Sequence, residues 1–255
     1  AASREFDKSI EDVPAADMTD WNHFLSKLEN AKDEIKIGLV GKYVQLQDAY
    51  KSIMESLLHA AAYNDHKLKL KSILSDKLTE QNIAQEFEGL DAVVVCPGFG
   101  ARGIEGKFVA LKYARTNNIP CLGICIGMQS MAIEFARNVL GYADANSTEL
   151  DPHTTHNVVD MMEDQKNILN MGGSMRLGAY KCQLKTGTKA YEIYQKEEIS
   201  ERHRHRFEFN NQYKAEFENA GMTCSGINKE SDLVEIIELA QHPFYMGVQF
   251  HPEYS

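Results

Sequence analysis

Cys125, a glycine-rich loop at Gly98 and a His251-Pro252-Glu253 stretch have the residue types to do chemistry together. Cys125 stands between Gly123 and Gly127, in the order G-x-C-x-G. Ile119–Ile124 before it is apolar and short, as a buried strand is. After it, Met128, Met131, Ile133, Phe135 and Val139 follow a helical pattern that stops at Gly141. Strand, sharp turn with a nucleophile between glycines, then helix is the arrangement of a nucleophile elbow. The helix N-terminus points free N–H groups and partial positive charge at the sulfur, which favours thiolate. The same residues also suit a buried cysteine in an ordinary βα unit, since free cysteine is among the most buried residue types.

A cysteine nucleophile needs a base. His251 lies where the last apolar run ends, and Glu253 follows with Pro252 between them. A carboxylate there can hold one imidazole nitrogen while the other faces sulfur. An oxyanion needs donors, and Gly98 with Ile126 can supply two backbone N–H groups, one from the loop and one just after the nucleophile. An ordinary glycine turn accounts for the loop equally well. Gly98-x-Gly100-x-x-Gly103 also matches a dinucleotide fingerprint on its face, but the next strand ends at Cys125 and not at the acidic residue that would hold a ribose. A Walker loop is excluded, because Ala101 stands where glycine is needed and Phe108 follows Lys107 where Ser or Thr is needed. His153 and His156 have no third ligand at a usual spacing, so a metal site is not expected. In Glu201–Arg206, strand alternation puts Arg202, Arg204 and Arg206 on one face. That face is either solvated or an anion site suited to a carboxylate.

The elements that position these groups follow from the apolar pattern. A polar start gives way to a helix over Trp21–Asn30, whose Trp21, Phe24, Leu25 and Leu28 form a docking stripe. Strands are expected over Ile35–Val40, Lys67–Ile73, Ala92–Cys96 and Ile119–Ile124. Helices are expected from about Ala49 to Tyr63, and over Leu78–Glu88 and Gly106–Asn117. The alternation of Lys67–Ile73 suits an edge strand. The order βαβαβαβα implies an α/β fold with a mostly parallel sheet, helices on both faces, and ligands at the carboxyl ends of the strands. Further on, Asn157–Ala179, with Gly172, Gly173 and Gly178, reads as a loop or lid. Strands are expected over Lys181–Leu184, Thr188–Tyr194, Glu201–Phe209, Thr223–Asn228, Val234–Leu239 and Met246–Phe250, and a helix over Lys214–Ala220.

The chain of 255 residues is long enough for one large α/β domain, and its net charge of −10 makes nucleic acid and anionic membrane poor partners. No apolar run approaches a membrane span, and the start carries no signal-peptide core. Five scattered cysteines without C-x-x-C pairs suit a reducing, cytoplasmic setting.

With these residues in view, the chain resembles the class I (triad) glutamine amidotransferases. GICIGMQ and VQFHPE are similar to the marks of the family as a whole. GKYVQLQDAYKSI, PGFGARGIEGK, NSTELDP, GGSMRLG and ERHRHRFEFNN resemble the branch that aminates UTP to CTP, and not those making GMP, carbamoyl phosphate or anthranilate. The resemblance runs from about Lys36 to the end. It implies the three-layer class I glutaminase fold with a nucleophile elbow. It implies Cys125 as nucleophile, His251 as acid/base, Glu253 as its orienting carboxylate, and Gly98 and Ile126 as oxyanion donors. It implies that Phe99, Gln129, Glu149 and Arg206 hold L-glutamine, Glu149 at the α-ammonium and Arg206 at the α-carboxylate. Arg102, Glu105 and Arg176 match a region that responds to GTP, an allosteric activator in that branch.

The resemblance further implies a pyrimidine-synthesising ligase in which this part needs no cofactor. ATP and Mg²⁺ would act in an N-terminal synthetase domain outside this chain, and the full-length enzyme would be a homotetramer. Residues 1–34 read as an interdomain linker with a short helix, and 35–255 as the glutaminase domain. A regulatory or docking module of the same fold, or another triad hydrolase, is the alternative. One departure stands out. The family's loop reads Pro-Gly-Gly-Phe-Gly, whereas here it is Cys96-Pro97-Gly98-Phe99-Gly100, so a proline without an N–H replaces the first glycine.

Overall fold

The computed structural model describes residues 16–46, 48–161 and 175–255. The apolar runs of the first half become parallel strands, because each is followed by a helix long enough to return the chain to the same end of the sheet. Strands β1 (Asp33–Gly41), β2 (His66–Leu74), β3 (Ala92–Val95) and β4 (Cys121–Ile124) are joined through helices α2 (Lys51–Tyr63), α3 (Ile83–Glu86) and α4 (Ile104–Thr116). Helix α5 (Ile126–Phe135) leaves β4 through Cys125 and widens into a π turn over Ala136–Leu140. Gly141, at φ 83°, ends it in the left-handed conformation expected of a C-terminal glycine.

The second half adds β5 (Asn146–Ser147), β6 (Asn157–Met161), β7 (Arg176–Leu184), β8 (Glu198–His205), β9 (Phe207–Phe209), β10 (Met222–Asn228), β11 (Leu233–Leu239) and β12 (Tyr245–Val248). It also adds two short helices, α6 (Lys189–Tyr194) and α7 (Lys214–Asn219). Among the described residues the main sheet has nine strands in the order β2-β1-β3-β4-β12-β11-β10-β7-β8. Its β2-β1-β3-β4-β12 part is parallel and the β11-β10-β7-β8 part antiparallel. The expected mostly parallel sheet therefore describes the half that holds Cys125, and hairpins built without crossover helices supply the rest. β2 lies at the edge, as its alternating lysines suggest. β5, β6 and β9 form a separate small sheet.

Side chains alternate across the sheet into two cores. Val93 and Val95 face one with Phe108, Leu111, Met128, Met131 and Phe135, under α4 and α5. Val94 faces the other with Leu39, Ile53, Ala190, Ile236 and Val248, under α2 and α6. Helix α1 (Thr19–Asn30) rests on α2. The Phe24 ring meets His59 edge-on at 5.0 Å and Lys27 donates to the Tyr63 carbonyl at 2.9 Å. Trp21 and Leu25 of the expected stripe stay 51% and 37% exposed.

Four expectations are corrected. Thr188–Tyr194 is not a strand. The Thr188 hydroxyl caps a helix by accepting from the Tyr191 N–H at 3.3 Å, and Glu238 accepts from the N–H groups of Lys189 and Ala190. The cap and this carboxylate outweigh the β-favouring residues. Leu78–Glu88 is helical only over Ile83–Glu86. Asn157–Ala179 contains strand β6 and the start of β7, while Gly172 and Gly173 lie outside the described residues. Glu201–Phe209 breaks at Arg206, its two parts pairing in different sheets.

Three parallel neighbours deliver the chemistry. β4 pairs with β3 through Gly123↔Val95 and with β12 through Ile124↔Val248. The Cys96–Gly100 loop, Cys125 and the Gln249–Glu253 segment therefore leave adjacent strands at the same edge, where parallel sheets place ligands. The two glycines permit the crossing. A Cβ on Gly127 would come within 2.3 Å of the Val95 carbonyl oxygen, and one on Gly123 within 2.7 Å of the Gly127 carbonyl carbon. Gly127→Ala is expected to lower unfolding free energy by about 2–3 kcal/mol, read by urea denaturation, whereas an unchanged midpoint would show that α5 does not depend on this approach.

Candidate active site

Cys125 sits at φ 55°, ψ −108°, left-handed backbone for a residue with a side chain, and the Val248 carbonyl accepts from its N–H at 2.8 Å. A non-glycine residue there costs about 1–3 kcal/mol, met by packing on both sides. The turn puts the thiol at the start of α5. Because Ile126 opens that helix, its N–H has no intrahelical acceptor. All five cysteines are free and buried.

His251 hydrogen-bonds Cys125 through its side chain, and its Nδ1 lies 2.8 Å from Glu253 Oε1. Its backbone N–H donates to the Arg202 carbonyl at 2.8 Å, tying the base to β8. Burial disfavours the imidazolium, but the bonds to Cys125 and Glu253 outweigh it and raise the pKa to about 9. The Tyr254 ring stacks on the imidazole at 5.6 Å. Gln249, fully buried, points Nε2 at Cys125 Sγ at 3.9 Å and accepts from Gln129 Nε2 at 3.2 Å. Gln129 also donates to the Phe207 carbonyl at 2.8 Å.

Cys125, His251, Tyr254 and Gln129 line one cavity of about 580 Å³, which also brings together Gly98, Phe99, Ile126, Glu149 and Arg206. Every residue expected in the oxyanion and substrate sets is thus on its wall, and Tyr43, Tyr50, Met175 and Arg204 join them. Glu149 and Arg206 give the cavity opposite charges. Burial raises the Glu149 pKa, while the Gly100 N–H and the charges of Lys42 and Arg206 favour its ionised form.

The expected effector residues separate. Arg102 and Glu105 are at the surface by the glycine loop. Arg102 pairs with Asp76 at 2.6 Å, donates to the Lys42 carbonyl at 3.0 Å and covers the Tyr43 ring at 5.2 Å. Glu105 faces Arg137 at 3.7 Å. Arg176 is instead interior, 7% exposed, with its guanidinium bound by Glu235 at 2.7 Å and Glu208 at 3.2 Å. A guanidinium held by two buried carboxylates is not presented to a nucleotide phosphate.

The arginines of β8 stand on its exposed face, and its other face is buried. There Glu201, His203 and His205 turn inward. His203 Nδ1 and His205 Nε2 meet at 2.8 Å beside the Arg176 cluster. Burial drives both imidazoles toward the neutral form, and burial pushes the Glu208 carboxyl up to about 8. Lys42, Tyr50 and Lys107, which no local pattern marks, reach the glycine loop from three different elements. His156 binds Asp144 at 2.6 Å and stacks on Tyr142, and among the described residues no group of His, Cys, Asp and Glu is arranged to hold a metal ion.

A cysteine at a strained elbow, an imidazole–carboxylate pair from the neighbouring strand and a glycine loop on the other side form a triad-like arrangement on an α/β sheet. The chain belongs to the class-I glutamine amidotransferases, whose family model matches residues 45–255. Within that family it is similar to CTP synthases. It is 62% identical to CTP synthase of Bacteroides fragilis over 92% of this chain and 44% of the relative. It is 56% identical to that of Porphyromonas gingivalis over 95% and 45%. The chain thus spans less than half the length of these relatives. It superposes on the glutaminase domain of Trypanosoma brucei CTPS with bound acivicin with a TM-score of 0.80 at 35% identity, covering 87% of each chain. A glutamine amidotransferase from Thermotoga maritima shares the fold, with a TM-score of 0.55 at 15% identity over 87% of this chain and 77% of its own. Among the described residues no helix is long and apolar enough to cross a membrane.

The raised His251 pKa has a direct consequence for stability. A group whose pKa rises on folding stabilises the fold fully below its unfolded value, near 6.5, and loses that contribution as pH climbs through about 9. The melting-temperature gap between the wild type and His251→Asn is therefore expected to narrow across that interval. A gap independent of pH would contradict the charged, doubly bonded imidazole.

Proposed function

We propose that the chain hydrolyses L-glutamine to glutamate and ammonia through a Cys125 thioester. The observation that carries this is one cavity lined by Cys125, by His251, whose Nδ1 is held by Glu253, and by the oppositely charged Glu149 and Arg206. A free amino acid has two charged ends, and this wall offers a carboxylate for its α-ammonium and a guanidinium fork for its α-carboxylate. Gln129 and the backbone at Phe99 complete the substrate wall.

In this reading Cys125 sulfur attacks the side-chain amide carbon, and the developing oxyanion is taken by the N–H groups of Gly98 and Ile126. His251, held by Glu253, gives its proton to the departing ammonia, leaving a γ-glutamyl thioester. It then takes a proton from water, which attacks the thioester and frees glutamate and the sulfur. The roughly 9 pKa of His251 keeps a proton available for ammonia at neutral pH.

Relatives about twice as long as this chain, with the name CTP synthase, support a wider role. We infer that residues 35–255 act as the glutaminase domain of a longer protein, with 1–34 linking it to a synthetase domain. That domain would use ATP and Mg²⁺ to activate UTP and aminate it to CTP with the ammonia made here. A homotetrameric, cytoplasmic enzyme activated by GTP near Arg102 and Glu105 fits this reading. Arg176 is left out of that surface because its guanidinium is held inside.

The test is ammonia release from glutamine by the isolated chain. Activity abolished by Cys125→Ser is expected, and release that survives this change would remove the nucleophile assignment. Arg206→Ala is expected to raise KM for glutamine by about 10–100-fold with kcat and melting temperature little changed. An unmoved KM would take the carboxylate role from Arg206.

A further inference from the structure

The loop from Cys96 to Gly100 has only its backbone to offer an oxyanion, so what fixes that backbone governs catalysis. Its carbonyls are held from three elements. The Lys107 ammonium, on the first turn of α4, donates to the Cys96 carbonyl at 2.7 Å. The Tyr50 hydroxyl, just before α2, donates to the Pro97 carbonyl at 3.2 Å. The Lys42 ammonium, just after β1, donates to the Phe99 carbonyl and to the Gly100 carbonyl at 3.1 Å. Both lysines are buried, Lys42 at 5% and Lys107 at 1% exposed.

A buried ammonium is costly, and an apolar side chain of similar length would fill the Lys107 position without that cost. The helix turn that carries it is closely packed. Gly106 lies so close to the Ser75 turn that a Cβ there would come within 1.8 Å of the Ser75 carbonyl oxygen, so the first turn of α4 is pressed against the sheet edge. Burial lowers the Lys107 pKa to about 8, against the pull of Cys96 and Cys125. A peptide unit whose carbonyl is pinned cannot flip its N–H. The Gly98 N–H shares its peptide unit with the Pro97 carbonyl that Tyr50 holds, while Lys107 fixes the unit before it and Lys42 the units that follow Phe99 and Gly100. Gly98 itself is at φ 145°, a conformation open to glycine, with the Lys42 stem 3.1 Å from where its Cβ would be.

We propose that Tyr50, Lys107 and Lys42 are positioning residues that clamp the Cys96–Gly100 loop by its carbonyls, Tyr50 in the peptide unit of the Gly98 N–H and the lysines in neighbouring units, and so hold that N–H beside Cys125 for glutamine hydrolysis. The proposal rests on the glutaminase reading for its kinetics, but the clamp itself has a readout without substrate. It also gives Pro97 a place. The proline removes a donor, fixes φ, and leaves a carbonyl that Tyr50 holds.

The test compares wild type, Lys107→Met and Tyr50→Phe by glutamine kinetics and by hydrogen–deuterium exchange of the peptide spanning 96–103. Lys107→Met is expected to keep the melting temperature, to speed exchange in that peptide alone, and to lower kcat by about 100-fold while KM stays put. Alkylation of Cys125 by iodoacetamide, which needs no oxyanion donor but feels the lost Lys107 charge, is expected to slow far less than kcat. Unchanged exchange or unchanged kcat would overturn the clamp, as would a rise in KM or a parallel loss of alkylation. If Lys107→Met does not fold, Tyr50→Phe decides the matter, with faster loop exchange and a kcat loss of about fivefold expected and no change in either contradicting it. A wild type that releases no ammonia would sink the glutaminase reading, and loop exchange would still decide the clamp.

Discussion

The left-handed backbone at Cys125 is the constraint on which the rest depends. A side chain held at φ 55° persists only where its surroundings leave no alternative. Those surroundings are specific. The Val248 carbonyl takes the Cys125 N–H, Gly127 presses against Val95, and Gly123 presses against Gly127. Remove the turn and the thiol returns to the plane of the sheet, away from the helix N-terminus and from His251. The elbow converts packing energy, spread over two cores, into the placement of one sulfur atom.

Topology does the remaining assembly. Only parallel neighbours deliver their carboxyl ends to the same edge, and β4 is flanked by two of them. One flank brings the glycine loop and the other brings the base. The antiparallel half contributes differently. It supplies Arg204 and Arg206 to the cavity wall and, behind them, a buried group of Arg176, Glu208, Glu235, His203 and His205. Along one strand, side chains thus alternate between exposed and buried faces, and His205 of the buried face reaches the cavity as well.

What was legible in the sequence was what is written locally. The elbow declares itself because glycine, cysteine and glycine stand at fixed spacing between a strand pattern and a helix pattern. His251 and Glu253 declare themselves by lying two apart at a strand's end. Glu149 carries no such local mark and was reached only through the resemblance to a family, whereas strand alternation marked Arg206 only as one of three arginines suited to an anion. Lys107 entered only in excluding a Walker loop, and nothing in its local sequence marks it as buried, though in the fold it is 1% exposed and donates to the Cys96 carbonyl. The Thr188 segment misled for a related reason. Its aromatic and β-branched residues suit a strand, while the Glu238 carboxylate that accepts from its first N–H groups belongs to a strand far along the chain. Local pattern sets elements, and partners distant in sequence decide the exceptions.

A γ-glutamyl thioester on Cys125 is the species that the whole arrangement implies. Mixing the chain with glutamine, quenching in acid within the first turnover and mapping peptide masses would look for it directly. One glutamyl group on the peptide that carries Cys125 is the result this account predicts. Rapid ammonia release with no adduct, or an adduct on a different residue, would contradict it.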